Sequence, residues 1–63
     1  MNRGDRILGI NEVQPGILVF HRYVHEFGIV LRVCWNEVEV LLENSTVVRW
    51  EMDGFRSIYR MIQ

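Results

Sequence analysis

His21 and His25 stand four residues apart in FHRYVHEF, with Glu26 beside the second imidazole. On a helix this spacing sets two ligands on one face, as a metal site requires. On a strand it separates them by about 13 Å, at roughly 3.3 Å per residue. Ligand bonds to zinc are only about 2 Å long, so a strand reading excludes a shared ion unless the chain bends after Val24. The residues around them favour a strand, so the pair reads as loop-edge histidines with no metal and no cofactor. Cys34 is the single cysteine. It cannot form an internal disulfide or a four-cysteine zinc site. In its apolar run it packs as a small hydrophobe and fits a reducing compartment. Nothing orients a dyad of Cys34 with His21 or His25. Ser45 and Ser57 lack the strand-turn-helix context of an activated serine, and the carboxylates show no acid–base pairing. The expectation is a protein that is not an enzyme and takes no small-molecule substrate. Arg3-Gly4-Asp5 spells an adhesion tripeptide and reads as a solvated terminus.

Binding chemistry has more material. Tyr23 and Trp35 fall at strand ends, where exposed aromatics line peptide grooves or stack on nucleic-acid bases. Arg22, Arg32 and Arg49 lie near them in sequence. Phe20 and Trp50 read as core. All seven basic residues are arginine, set against eight acids, for a net charge of −1. Arginine is enriched at protein interfaces, where lysine is depleted. Sequence-independent nucleic-acid binding needs excess positive charge, so an arginine–aromatic surface for nucleic acid is the second reading.

These side chains sit on one small domain of 63 residues. A chain near 60 residues buries only about 60% of its unfolded surface and is marginal without oligomerisation, metal or disulfides. There is no alanine and no lysine, while valine and isoleucine abound, which favours strands over helices. No window approaches the roughly 20 apolar residues of a membrane span, and MNRGDRILGIN lacks a signal-peptide core. The expected setting is intracellular or virion-associated.

Period-two alternation in EVEVLLE makes a strand with Val38, Val40 and Leu42 inward and Glu37 and Glu39 outward; Leu41 is the exception on the outer side. ENST is a tight turn, with Asn44 tolerating left-handed backbone. TVVRWE returns with Val48 and Trp50 inward and Arg49 opposite Glu39 or Glu37. FGIVLRVCW is apolar on both faces, which reads as a strand covered on both sides or strongly bent, and Gly28 marks a bulge or bend. Pro15-Gly16 opens a further strand from Ile17 to about Val24. After Asp53-Gly54, a single 3₁₀ turn over residues 54–56 precedes a last strand. The apolar Ile7, Leu8, Ile10 and Val13 precede this unit, as an arm over residues 1–14 or as an extra strand.

The pieces FGIVLRV and VEVLLEN..VVRW, within residues 15–63, resemble SH3-like small barrels of the KOW and Tudor kind. The nearest likeness is to tiny stand-alone versions encoded by tailed bacteriophages. The resemblance implies an all-β fold, a small five-stranded antiparallel SH3-like barrel, with the apolar arm outside its pattern. It implies an interaction or assembly module, plausibly a phage structural or accessory protein, or else a KOW-like nucleic-acid module using Arg22, Arg32, Arg49, Tyr23 and Trp35. An apolar arm beside so small a core needs cover. Ile7, Leu8, Ile10 and Val13, with Tyr23 and Trp35, are therefore the candidate partner-binding residues. A protein partner or a second copy would cover them, unless the arm packs on its own barrel.

Overall fold

The computed structural model describes residues 7–62; the Arg3-Gly4-Asp5 tripeptide lies outside them. Five antiparallel strands follow one another: β1 (Leu18–His21), β2 (Glu26–Cys34), β3 (Glu37–Leu42), β4 (Val47–Glu51) and β5 (Tyr59–Met61). A helix, α1 (Met52–Ile58), separates the last two. The order across the sheet is β4-β3-β2-β1-β5.

The β3–β4 hairpin forms in the expected register: Val38 faces Trp50, Glu39 faces Arg49 and Val40 faces Val48. Its turn is tighter than ENST suggests. Ser45 N–H donates to the Leu42 carbonyl at 2.9 Å, and Ser45, not Asn44, takes the left-handed backbone at φ 70°. This is a type I turn closed by a bulge whose left-handed position usually holds glycine. Asn44 serves through its side chain, accepting the Thr46 N–H at 3.0 Å.

The sheet does not close into a barrel. β4 and β5 are its two edges, and α1 stands in the chain between them, so the backbone pairing that would seal the cylinder is missing. Side chains fill the gap instead. Tyr59 stacks on Phe55 at 4.8 Å between ring centres, meets Trp50 edge-on at 5.7 Å and meets His21 at 4.9 Å. Met52 and Phe55, three apart on α1, are both buried, which is why the expected 3₁₀ turn becomes a helix of seven residues. The Arg56–Asp53 pair at 3.7 Å and Ser57 Oγ donating to the Asp53 carbonyl at 3.0 Å brace it.

The arm folds back onto the sheet. Leu8 and Val13 are buried in the same core as Val19, Val30, Val38, Val40, Met52, Phe55 and Tyr59. Between them Ile10–Glu12 form a 3₁₀ turn rather than a strand. Glu12 caps it by accepting the Gly9 N–H at 2.8 Å. Arg56 Nε donates to the Leu8 carbonyl and ties arm to helix across 48 positions of sequence. Residues 7–14 thus pack on the sheet and helix through Leu8, Val13 and Arg56.

β2 departs most from expectation. Gly28 is neither bulge nor bend: a Cβ there would lie 2.7 Å from Val40 Cγ1 and 3.3 Å from the Leu41 carbonyl, so glycine permits close strand approach. The register shift falls between Val30 and Arg32. Only one face of the strand is covered. Gly28 and Val30 point to the core, while Phe27, Ile29 and Leu31 are exposed.

Candidate functional site

The sheet buries one face and shows the other. Alternation along β1 to β4 sets Val19, Val30, Val40 and Val48 inward and the residues between them outward. The cross-strand register then aligns Leu18, Ile29, Leu41 and Val47 in one row over four strands. Leu18, Ile29 and Val47 are 41%, 42% and 52% exposed; Leu41 is half-buried. Leu41, the aliphatic residue that breaks the glutamate face of β3, belongs to this row. Phe27 adjoins it and packs edge-on against Phe20 at 4.9 Å. Phe20 therefore lies on the outer face, not in the core, with Arg60 over its ring at 4.9 Å. A shallow groove of about 360 Å³ runs along the apolar side chains, bounded by Glu43 and Ser45. Glu43 is positioned by the Phe27 N–H, which donates to Oε2 at 2.8 Å.

One register step toward the other end of β2, the face turns charged. Arg32, Glu39 and Arg49 lie side by side, with Arg49 Nε 3.3 Å from Glu39 Oε2. The next row holds Cys34, Glu37 and Glu51. A recess of about 150 Å³ lies between the rows, lined by Arg32, Cys34, Glu37, Glu39 and Arg49. Cys34 is exposed, contrary to its expected packing, because the register shift in β2 sets it on the outer side with Glu37. The two arginines here are matched by three glutamates, so no positive patch results.

The nucleic-acid set does not assemble on one surface. Tyr23 lies in the β1–β2 turn and Trp35 in the β2–β3 turn, at opposite ends of a strand whose nine residues span about 26 Å. Trp35 is 96% exposed, with its backbone left-handed at φ 56°. Tyr23 is also exposed. Arg22 sits beside Tyr23, away from Arg32 and Arg49. Of the partner-binding set, Leu8 and Val13 are 1% and 4% exposed and are withdrawn into the core; Ile7 and Ile10 remain on the surface.

The chain does bend between the histidines, since residues 22–25 form a turn with His25 at φ 55°, but the rings part: His21 packs on Trp50 and Tyr59. His21 Nδ1 accepts the backbone N–H groups of Tyr23 and Val24, each at 3.2 Å. That ring nitrogen holds the turn, and His25 stacks on Phe20 at 5.8 Å. Among the described residues no group of three or more His, Cys, Asp or Glu is placed to hold a metal, and no helix is long and apolar enough to cross a membrane. Burial pushes the Tyr59 phenol above its ordinary value; the neighbouring Trp50 indole N–H works against this, and Glu26 adds to it.

Comparison with family models, with curated proteins and with solved structures gives no match.

Proposed function

We propose that this protein is a non-catalytic interaction and assembly module on an SH3-like small-barrel frame, and that it binds protein through the apolar half of its outer sheet face. Five short antiparallel strands with a helical turn ahead of the last support the frame; the open edge between β4 and β5 is its departure from a closed barrel. The resemblance in FGIVLRV and VEVLLEN..VVRW supports an assembly or accessory role of the kind found in tailed phages. The observation that carries the reading is the Leu18–Ile29–Leu41–Val47 row. It forms, with Phe27, a contiguous apolar patch on the order of a few hundred Å², the size at which such patches mark interaction sites. The balanced charge beside it weighs against the nucleic-acid reading, which needs excess positive charge.

The test is selection of a displayed random-peptide library on sparsely immobilised protein, with the Ile29→Arg/Leu41→Arg double variant as counter-selection. Enrichment of apolar peptides that bind the wild-type chain and not the variant is expected. A library in which nothing distinguishes the two overturns the reading.

A further inference from the structure

Resting on that reading, we infer that the occupant of the outer face is a second copy of this chain, packed sheet on sheet about a two-fold axis that runs along the strands between β2 and β3. The residue pattern favours this operator. Such an axis reverses the order of strands, laying β2 of one copy over β3 of the other. The row Leu18–Ile29–Leu41–Val47 is aliphatic at every position, so reversal sets Ile29 over Leu41 and Leu18 over Val47 of the second copy. The next row pairs Arg32 with Glu39, and the same reversal brings each of these charges over its opposite. Residue i meets j while j meets i, the signature of an isologous interface. An axis along the row instead would set Glu39 over the Glu43 end of the second copy, with like charges close.

Four strands at about 4.8 Å and six residues at about 3.3 Å give a footprint of roughly 19 by 20 Å, or about 380 Å². That is about half of the roughly 800 Å² that a standard interface takes from each partner and about a tenth of the 4413 Å² exposed, so pairing through this patch makes a small interface. Two such sheets would form an aligned sandwich with side chains interdigitating across about 10 Å. The gain answers the size problem of the chain: among the described residues the core holds nine buried hydrophobic ones, few for an independent fold, and pairing gives the exposed face of β2 the cover that its sequence demands.

Cys34 reports on the geometry. It lies on the outer face of β2, so the proposed axis leaves the two Cys34 Cα atoms about 11 Å apart, one strand spacing sideways and one sheet spacing across. That is beyond the reach of a disulfide but within that of a short bismaleimide. The axis along the row would part them by about 28 Å, twice the four rows that separate Cys34 from the Ile29 row together with the sheet spacing.

The experiment combines sedimentation velocity over a dilution series with bismaleimidoethane cross-linking of the wild-type chain. Twice the chain mass and a cross-linked dimer through Cys34 are expected. Leu41→Arg should raise the dimer dissociation constant on the order of a hundredfold, as an unpaired charge buried at a packed face does, and abolish the cross-link. Val47→Lys, at the rim and more exposed, serves if the first variant does not fold, and Ile10→Arg, off the outer face, should change neither readout. A wild-type chain that stays monomeric at high concentration overturns the inference, as does a dimer that Leu41→Arg and Val47→Lys both leave intact. If the monomer still selects peptides specific to the face, the interaction reading stands and only the second copy falls. A monomer that selects none overturns both.

Discussion

Ser45 holds its backbone at φ 70° in the bulge that closes the β3–β4 turn, and replacing it with glycine should stabilise the protein. A non-glycine residue in the left-handed region gives up roughly 1–2 kcal/mol to the clash of its Cβ with the following carbonyl. Glycine removes that cost but gains freedom in the unfolded chain, worth about 0.5–1 kcal/mol against it. Ser45 is exposed and its turn bonds are made by the backbone, Ser45 N–H to the Leu42 carbonyl and Leu42 N–H to the Thr46 carbonyl at 2.8 Å, so they survive the change. The net is a stabilisation of about 0.5–1 kcal/mol, or roughly 3–6 °C in Tm for a chain this short. Thermal unfolding followed by circular dichroism at one fixed protein concentration reads it directly. Asn44→Gly is the control. It would create the glycine that a two-residue hairpin turn prefers, but Asn44 is not left-handed and its side chain accepts the Thr46 N–H, so that variant should lower Tm. A Ser45→Gly chain no more stable than wild type, or an Asn44→Gly chain more stable, would refute the assignment of the bulge.

Other expectations follow from the same packing. Gly28→Ala should destabilise by about 1–3 kcal/mol through overpacking, because Val40 Cγ1 and the Leu41 carbonyl stand where the new methyl goes; urea unfolding measures it. Phe55→Ala, at a fully buried ring stacked on Tyr59, should cost about 3–5 kcal/mol and leave the chain largely unfolded by far-UV circular dichroism. Tyr59 is held above its ordinary value, chiefly by burial. The folded state therefore keeps its proton longer than the unfolded state does, so its contribution is whole below about pH 10 and is lost as pH rises through the folded value. Chemical denaturation between neutral pH and pH 11 should show this loss at the alkaline end, reduced in Tyr59→Phe.

Much of the inward face was legible. Alternation placed Val38, Val40, Leu42, Val48 and Trp50 on one side of the hairpin and Arg49 on the other, opposite Glu39 or Glu37, since a half-buried strand fixes which side chains share a face; the register then selects Glu39. The outer face was not. FGIVLRV reads as covered on both sides because periodicity reports apolar side chains, not what lies over them; the uncovered side of β2 emerges only from its cross-strand neighbours. Leu41 was the available signal, an aliphatic residue on a glutamate face that makes sense once Ile29 and Val47 are beside it. Whether the arm packs on its own barrel stayed open for a related reason. Leu8 is tied to α1 by the bond from Arg56 to its carbonyl, which no local pattern encodes, and α1 was expected only as a single 3₁₀ turn over residues 54–56. Tyr23 and Trp35 were rightly placed at strand ends, but strand length decides whether two ends can share a ligand, and β2 is too long.

The most direct test of the interaction surface is a ¹⁵N heteronuclear NMR titration, by dilution of the protein alone and by addition of a selected peptide. Perturbed amides confined to Leu18, Phe27, Ile29, Leu41, Val47 and their strand neighbours are the predicted result. Perturbations that spare these residues and gather on Ile7, Ile10, Tyr23 or Trp35 would contradict the account and move the binding surface to the arm or the turns.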